Sequence, residues 1–232
     1  MQTNSWSFAV PQLDGPVGVR RWGHYGMPVV LFASAGGDSF EPERLQLLGA
    51  LGGLIDAGRI KLYAVEGTAI RMMLAGPADA GQRAQALRAF DQWVGSALVR
   101  QVREDCQSEA LELLAAGCAY GAASAVQALL LAPRVFRGAI GLSGTYDLRP
   151  WIESAAQAAD VSALQSGASA AGRTVLLAYT QGDYEDVPAS QQMAVRLRAL
   201  GVTVKEDIAR SGLHFGFAAW REQLPRCVGQ WL

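Results

Sequence analysis

Residues 110–133 read ALELLAAGCAYGAASAVQALLLAP, and this stretch decides the fold. Ala110 to Ala116 is a short apolar run with the length and flanks of a buried parallel strand. The run breaks at Gly117-Cys118-Ala119-Tyr120-Gly121. It then continues Ala-rich to Pro133, with Ala122, Val126, Leu129 and Leu130 at helical spacing. Strand, Gly-flanked tight turn and helix form the setting of a nucleophile elbow, G-x-S-x-G. In that motif the glycines let strand and helix pack closely around one residue held in a strained turn, its side chain aimed above the sheet. Here that residue is Ala119, so the frame of a serine hydrolase is present and the serine is not.

Outward from the elbow, buried runs alternate with helical patterns. Pro28 to Ala33 (PVVLFA) is a central strand, and Ile60 to Val65, Phe136 to Leu142, Thr174 to Tyr179 and Val202 to Ile208 are further strands. Helices are predicted from near Glu41 to Gly58, over residues 79–104, over Val187 to Leu200 and at the end of the chain. Ser39 or Asp38 is the expected cap of the first. Residues 67–78 read as irregular and 148–172 as an excursion or cap with a short helix. At the start, Ser5 to Val10 alternates as an outer strand with Trp6, Phe8 and Val10 on one face. Val17 to Trp22 follows, and two strands paired by a short turn suggest an antiparallel edge. The expectation is a single α/β domain over residues 1–232, with a mostly parallel doubly wound sheet.

Composition narrows the function classes. Half of the 232 residues are hydrophobic and 18% are charged, an ordinary globular balance. A net charge of −1 with scattered arginines argues against a nucleic-acid partner. The first residues, MQTNSWSFAVPQLDG, lack the basic and apolar regions of a signal peptide, and no run reaches the ~18 apolar residues of a membrane span. Cys106, Cys118 and Cys227 have no metal spacing and fit free thiols in a reducing cytoplasm. With only His24 and His214 available, a multi-histidine metal site is not expected, nor is any cofactor. The oligomeric state stays open, a homo-oligomer included.

In a doubly wound sheet, ligands sit beyond the carboxyl ends of the strands. Four loops deliver candidates there: the elbow with Ala119, the loop after TVLLAY with Asp183, Glu185 and Asp186, the loop after the last strand with His214, and the loop Ser34-Ala35-Gly36-Gly37 after PVVLFA. The order nucleophile, acid, histidine is that of α/β-hydrolases. In acyl transfer His214 would be the general base and one carboxylate would fix its tautomer. The Tyr120 amide and an amide near Ala35 would stabilise the oxyanion, each worth roughly 3 kcal/mol. Asp186 precedes Val187-Pro188 and reads as a helix cap. His24 precedes its strand and reads as a turn residue. Cys118 reads as inert packing and Ser124 as a helix-interior residue. Ser143 and Asp147, past the next strand, either line a substrate pocket with Gly36 or cap a turn.

Four pieces of the chain carry a wider resemblance: GHYGMPVVLFASAGGDSFE, GCAYGAASAVQALLLAPRVFRGAIGLSGTYDL, TQGDYED and GLHFGFAAWREQLP. Together they resemble the esterase family of α/β-hydrolases that groups esterase D-like hydrolases, siderophore (enterochelin-type) esterases and mycobacterial mycolyltransferases. The resemblance implies an α/β-hydrolase fold acting on a small-molecule carboxylic ester, with acyl transfer as an alternative. Ala119 stands where that family has its serine, and His214 where it has its histidine. Glu185 is the implied acid, with Asp183 as the alternative, and the oxyanion donors fall near Ala35 and on Tyr120. Ala119 then reads either as a serine replaced on purpose in an otherwise intact enzyme or as the native residue of a pseudo-hydrolase that binds. Retention of histidine, acid and oxyanion loop favours the first reading.

Overall fold

The computed structural model describes residues 1–75, 79–148, 170–181, 186–209 and 216–232. Its centre is β5 (Leu113–Cys118), a strand buried along its whole length, followed after one residue by α6 (Tyr120–Leu131). The strand starts and ends later than its apolar run suggested, because Leu113 is the first residue to pair with β6 (Phe136–Leu142). A Cβ on Gly117 would collide with the Gly121 carbonyl oxygen, and one on Gly121 with that of Phe32. Both elbow glycines are therefore required by close approach of helix and sheet.

The remaining strands are β1 (Thr3–Phe8), β2 (Val17–Trp22), β3 (Met27–Phe32), β4 (Ile60–Val65), β7 (Thr174–Thr180) and β8 (Thr203–Ala209). They form a sheet in the order β1-β2-β4-β3-β5-β6-β7-β8. From β4 to β8 every pairing is parallel, while β1–β2 and β2–β4 are antiparallel. The antiparallel edge is as expected, but the short turn after β2 does not make a hairpin. It leads to β3, and β4 inserts between the two. β1 lies two residues earlier than its alternation implied, with Trp6 and Phe8 still half-buried and Val10 buried just beyond the strand.

Period-2 alternation sorts the strand residues between two apolar layers. Val30 and Phe32 of β3, Leu113 and Ala115 of β5, and Val175 and Leu177 of β7 face one layer. Val29 and Leu31, Leu114 and Ala116, and Leu176 and Ala178 face the other. The first layer is covered by α3 (Thr68–Ala75), α4 (Ala80–Trp93), α5 (Val99–Asp105), α6 and α7 (Asp186–Ala199). The second is covered by α2 (Leu47–Asp56) and α8 (Phe217–Gly229).

Three helical expectations need correction. The segment 67–78 is not irregular up to residue 75, since α3 buries Ala69, Ile70 and Met73 against the sheet. The helix predicted from Glu41 to Gly58 is two helices, α1 (Glu41–Arg44) and α2, parted by Gln46 at φ 60°. Neither Ser39 nor Asp38 is the N-cap of α1. That position is Phe40, and Asp38 Oδ1 accepts from its amide at 2.9 Å. The 79–104 helix is continuous but passes through a π-helical turn at Val94–Leu98 between α4 and α5, and Asp79 opens it with a capping box to Gln82. The excursion expected over 148–172 lies almost wholly outside the described residues. No helix among the described residues is long and apolar enough to cross a membrane.

Candidate active site

Ala119 sits between β5 and α6 at φ 49°, ψ −120°, a conformation rarely adopted by a residue with a side chain. Neighbouring elements hold it there. Its amide donates to the Leu142 carbonyl at 3.0 Å, and its carbonyl accepts from the amides of Thr145 and Ala122, both at 3.1 Å. The turn is thus pinned to the end of β6 on one side and to α6 on the other, which offsets the 1–3 kcal/mol such a backbone costs.

The loop after β3 crosses in front of this turn. Tyr120 N–H, one of the two expected oxyanion donors, donates to the Ser34 carbonyl oxygen at 3.0 Å. In this conformation that amide is taken by the protein itself. Ala35 is exposed, and its amide has no hydrogen-bond partner among the described residues. Ser34 N–H donates to Glu41 Oε1 at 2.7 Å. Gly36 is at φ 76°, and a Cβ there would stand 2.7 Å from Arg71 Cα. Its carbonyl accepts from Arg71 Nη1 at 3.2 Å, and the Gly37 carbonyl accepts from Gly67 N–H at 2.9 Å. Arg71 is itself paired with Glu66 at 2.9 Å. The loop is therefore clamped to α1 through Glu41 and to α3 through Arg71.

Glu41 was legible only as an acid in the first turn of a helix. Its carboxylate turns inward instead, and burial pushes its pKa up while the Ser34 amide and hydroxyl pull it down. No spacing in the chain announces that contact, because the partner is a backbone amide. Ser34 carries no side-chain signal for its role either, since the group that meets the elbow is its carbonyl.

Ser143 follows β6 at φ 45°. It is buried, its amide donates to the Ala178 carbonyl at 2.8 Å, and its hydroxyl has no partner among the described residues. Asp147 is exposed. Cys118 is buried in the opposite layer beside Leu31 and Ala116, and burial drives its thiol pKa well up. It packs there as a small apolar side chain. His24 lies exposed in the turn before β3, at the amino edge of the parallel strands and so at the other end of the sheet from Ala119. Ser124 is within α6.

Asp183, Glu185 and His214 lie outside the described residues. The described strands that precede them, β7 and β8, run parallel to β5. Thr180 and Ala209 therefore end at the same edge of the sheet as Ala119. Asp186 opens α7.

No family model matches the chain, and no curated protein matches it in sequence. Solved structures match its fold. An S-formylglutathione hydrolase from Agrobacterium tumefaciens superposes with a TM-score of 0.68 at 11% identity, over 99% of this chain and 93% of that one. A dienelactone hydrolase from Anabaena variabilis gives 0.62 at 17% identity, over 99% and 96%. The enterobactin esterase from Shigella flexneri gives 0.66 at 18% identity, over 97% of this chain and 58% of that one. Against one larger solved chain this protein spans 35% of the length. At these identities the likeness is one of fold, and the chain has the α/β-hydrolase fold.

Proposed function

We propose that this chain uses the frame of a serine ester hydrolase to bind carboxylic esters, and that as its sequence stands it does not cleave them. The observation that carries this reading is Ala119. The residue at the strained turn between β5 and α6 bears a methyl group where acyl transfer needs a hydroxyl. A histidine base has nothing to deprotonate there, and no acyl-enzyme can form. The seating of the Ser34 carbonyl on the Tyr120 amide supports a native alanine. A working esterase changed at one position would keep that amide open for the oxyanion. His214 as base and Glu185 as its carboxylate partner complete the ancestral triad in this reading, with Asp183 as the alternative acid. The free cysteines Cys106, Cys118 and Cys227 support a reducing, cytoplasmic setting.

The test compares the native chain with Ala119→Ser. The native chain is expected to bind a short p-nitrophenyl ester without turnover, and Ala119→Ser to react with a fluorophosphonate probe at residue 119 and to hydrolyse the ester. Turnover by the native chain overturns the non-catalytic reading. An Ala119→Ser variant that folds but takes no probe overturns the hydrolase frame. In the Ala119→Ser background, Glu185→Gln should lower turnover by two or more orders of magnitude while Asp186→Asn leaves it nearly unchanged. A loss on Asp183→Asn instead would move the acid two residues back.

A further inference from the structure

The Ser34–Ala35 peptide stands where an acyl-transfer site needs two donors, and it presents an acceptor. Its carbonyl takes the Tyr120 N–H at 3.0 Å. A trans peptide is planar and carries its C=O and N–H on opposite sides. With the carbonyl on the elbow amide, the Ala35 N–H points away from the elbow, on a residue that is exposed. Both expected donors are thereby off at once. Rotation of this one peptide by about 180° would release the Tyr120 N–H and bring the Ala35 N–H round beside it.

The flanks of the peptide suit that rotation. On its amino side, Ser34 is buried to 7% exposure and its own amide is fixed by Glu41 Oε1 at 2.7 Å. On its carboxyl side, the Gly36 carbonyl is held by Arg71 and the Gly37 carbonyl by Gly67 N–H. The peptide before is thus anchored to α1, and the backbone from the Gly36 carbonyl onward is anchored to α3. Among the described residues the 34–35 peptide makes one hydrogen bond, to the Tyr120 amide, worth about 1 kcal/mol net. The rotation turns ψ of Ser34 and φ of Ala35, and it carries Ala35, which bears only a methyl group, to positive φ at a cost of about 1–3 kcal/mol that the ligand has to offset.

We propose that the Ser34–Ala35 peptide is a ligand-operated plug of the oxyanion site, closed in the free protein and opened by a ligand that brings an anionic oxygen to the Tyr120 amide. The inference rests on reading the Ala119 turn as the nucleophile elbow. The ligand's charge decides the matter. A neutral ester carbonyl would replace one carbonyl acceptor by another and gain little. An anionic oxygen forms charge-assisted bonds roughly twice as strong, and it gains two of them once the peptide has turned. Only a ligand with that differential affinity can shift the equilibrium. The ligand that opens the plug is therefore a tetrahedral anion of the kind an alkylphosphonate supplies, and an intact ester binds with the plug closed.

The experiment titrates the native, isotopically labelled chain with butylphosphonate and follows the assigned amides of Ala35 and Tyr120. Both resonances are expected to shift on one saturable isotherm, and hydrogen exchange at Ala35 to slow by about tenfold. A shift at Tyr120 with Ala35 unmoved overturns the plug, because the site then takes an anion without the rotation. No shift at either amide overturns it as well. The ester reading fails separately. Ala119→Ser turnover with an unmoved Ala35 would keep that reading and remove this one. Coupled shifts in a chain whose Ala119→Ser form takes no ester would do the reverse.

Discussion

The Ser34 carbonyl oxygen accepts the Tyr120 amide at 3.0 Å, joining the loop after β3 to the first residue of α6. One hydrogen bond thus occupies an amide that the sequence assigns to oxyanion binding. It satisfies an amide that a helix start leaves without an intrahelical partner, and it removes the same amide from any ligand. The bond exists because Glu41 and Arg71 hold the loop on either side of it.

Glu41 should therefore matter to stability. Glu41→Ala leaves the buried Ser34 amide without its acceptor and is expected to cost about 1–3 kcal/mol. Glu41→Gln keeps an acceptor oxygen and should cost less. Urea midpoints of the two variants measure the difference, and equal losses would mean that side-chain volume, not the hydrogen bond, holds the loop.

Ala119 stores strain that a glycine would relieve. At φ 49° and ψ −120° the methyl group is disfavoured, so Ala119→Gly should raise stability by about 1 kcal/mol after the added entropy of the unfolded chain is subtracted. Ala119→Val should lower it by more than that, since a branched Cβ fits this backbone worse. Thermal melts of the three proteins would check the order Gly, Ala, Val.

A charged cluster ties β2, β4 and the end of α5 together. Asp105 Oδ2 lies 2.7 Å from Lys61 Nζ, 2.6 Å from the Tyr63 hydroxyl that donates to it, and 3.4 Å from Arg21 Nε. Lys61 is 6% exposed, and burial together with Asp105 keeps the Tyr63 phenol protonated. Asp105→Ala should cost about 3–5 kcal/mol because it strands a buried ammonium. Lys61→Met combined with Asp105→Leu should recover much of the loss in the same denaturation assay.

Asp91 predicts a pH dependence. Burial raises its pKa to about 7, against the pull of the Gln127 amide that donates to it at 3.2 Å. The folded state then holds a proton that the unfolded state releases near pH 4. Stability should fall as the pH rises from about 4 to about 7, and recover none of it above. The expected drop is roughly 1–3 kcal/mol, below the full shift because solvent reaches part of the residue. Asp91→Asn should flatten the profile over that window, and an unchanged slope would exclude Asp91 as its source.

The sequence by itself determined the elbow, the parallel strands after it and the two-layer cover, because those features are local. Gly117 and Gly121, the apolar run of β5 and the Ala-rich start of α6 lie within a few residues of one another, and their backbone preferences hardly depend on the rest of the chain. The sequence also supplied His214, Glu185 and Asp183, which still rest on their motifs. Only the tertiary structure decided that β4 separates β2 from β3, that residues 68–75 coil into α3, and that Glu41 turns inward. It alone brought the Ser34 carbonyl to the Tyr120 amide. Each of these depends on partners distant in the chain, and the decisive ones are backbone groups that every residue carries alike. A side-chain pattern cannot encode which carbonyl meets which amide, because that is settled by how the sheet closes and where the helices come to rest on it.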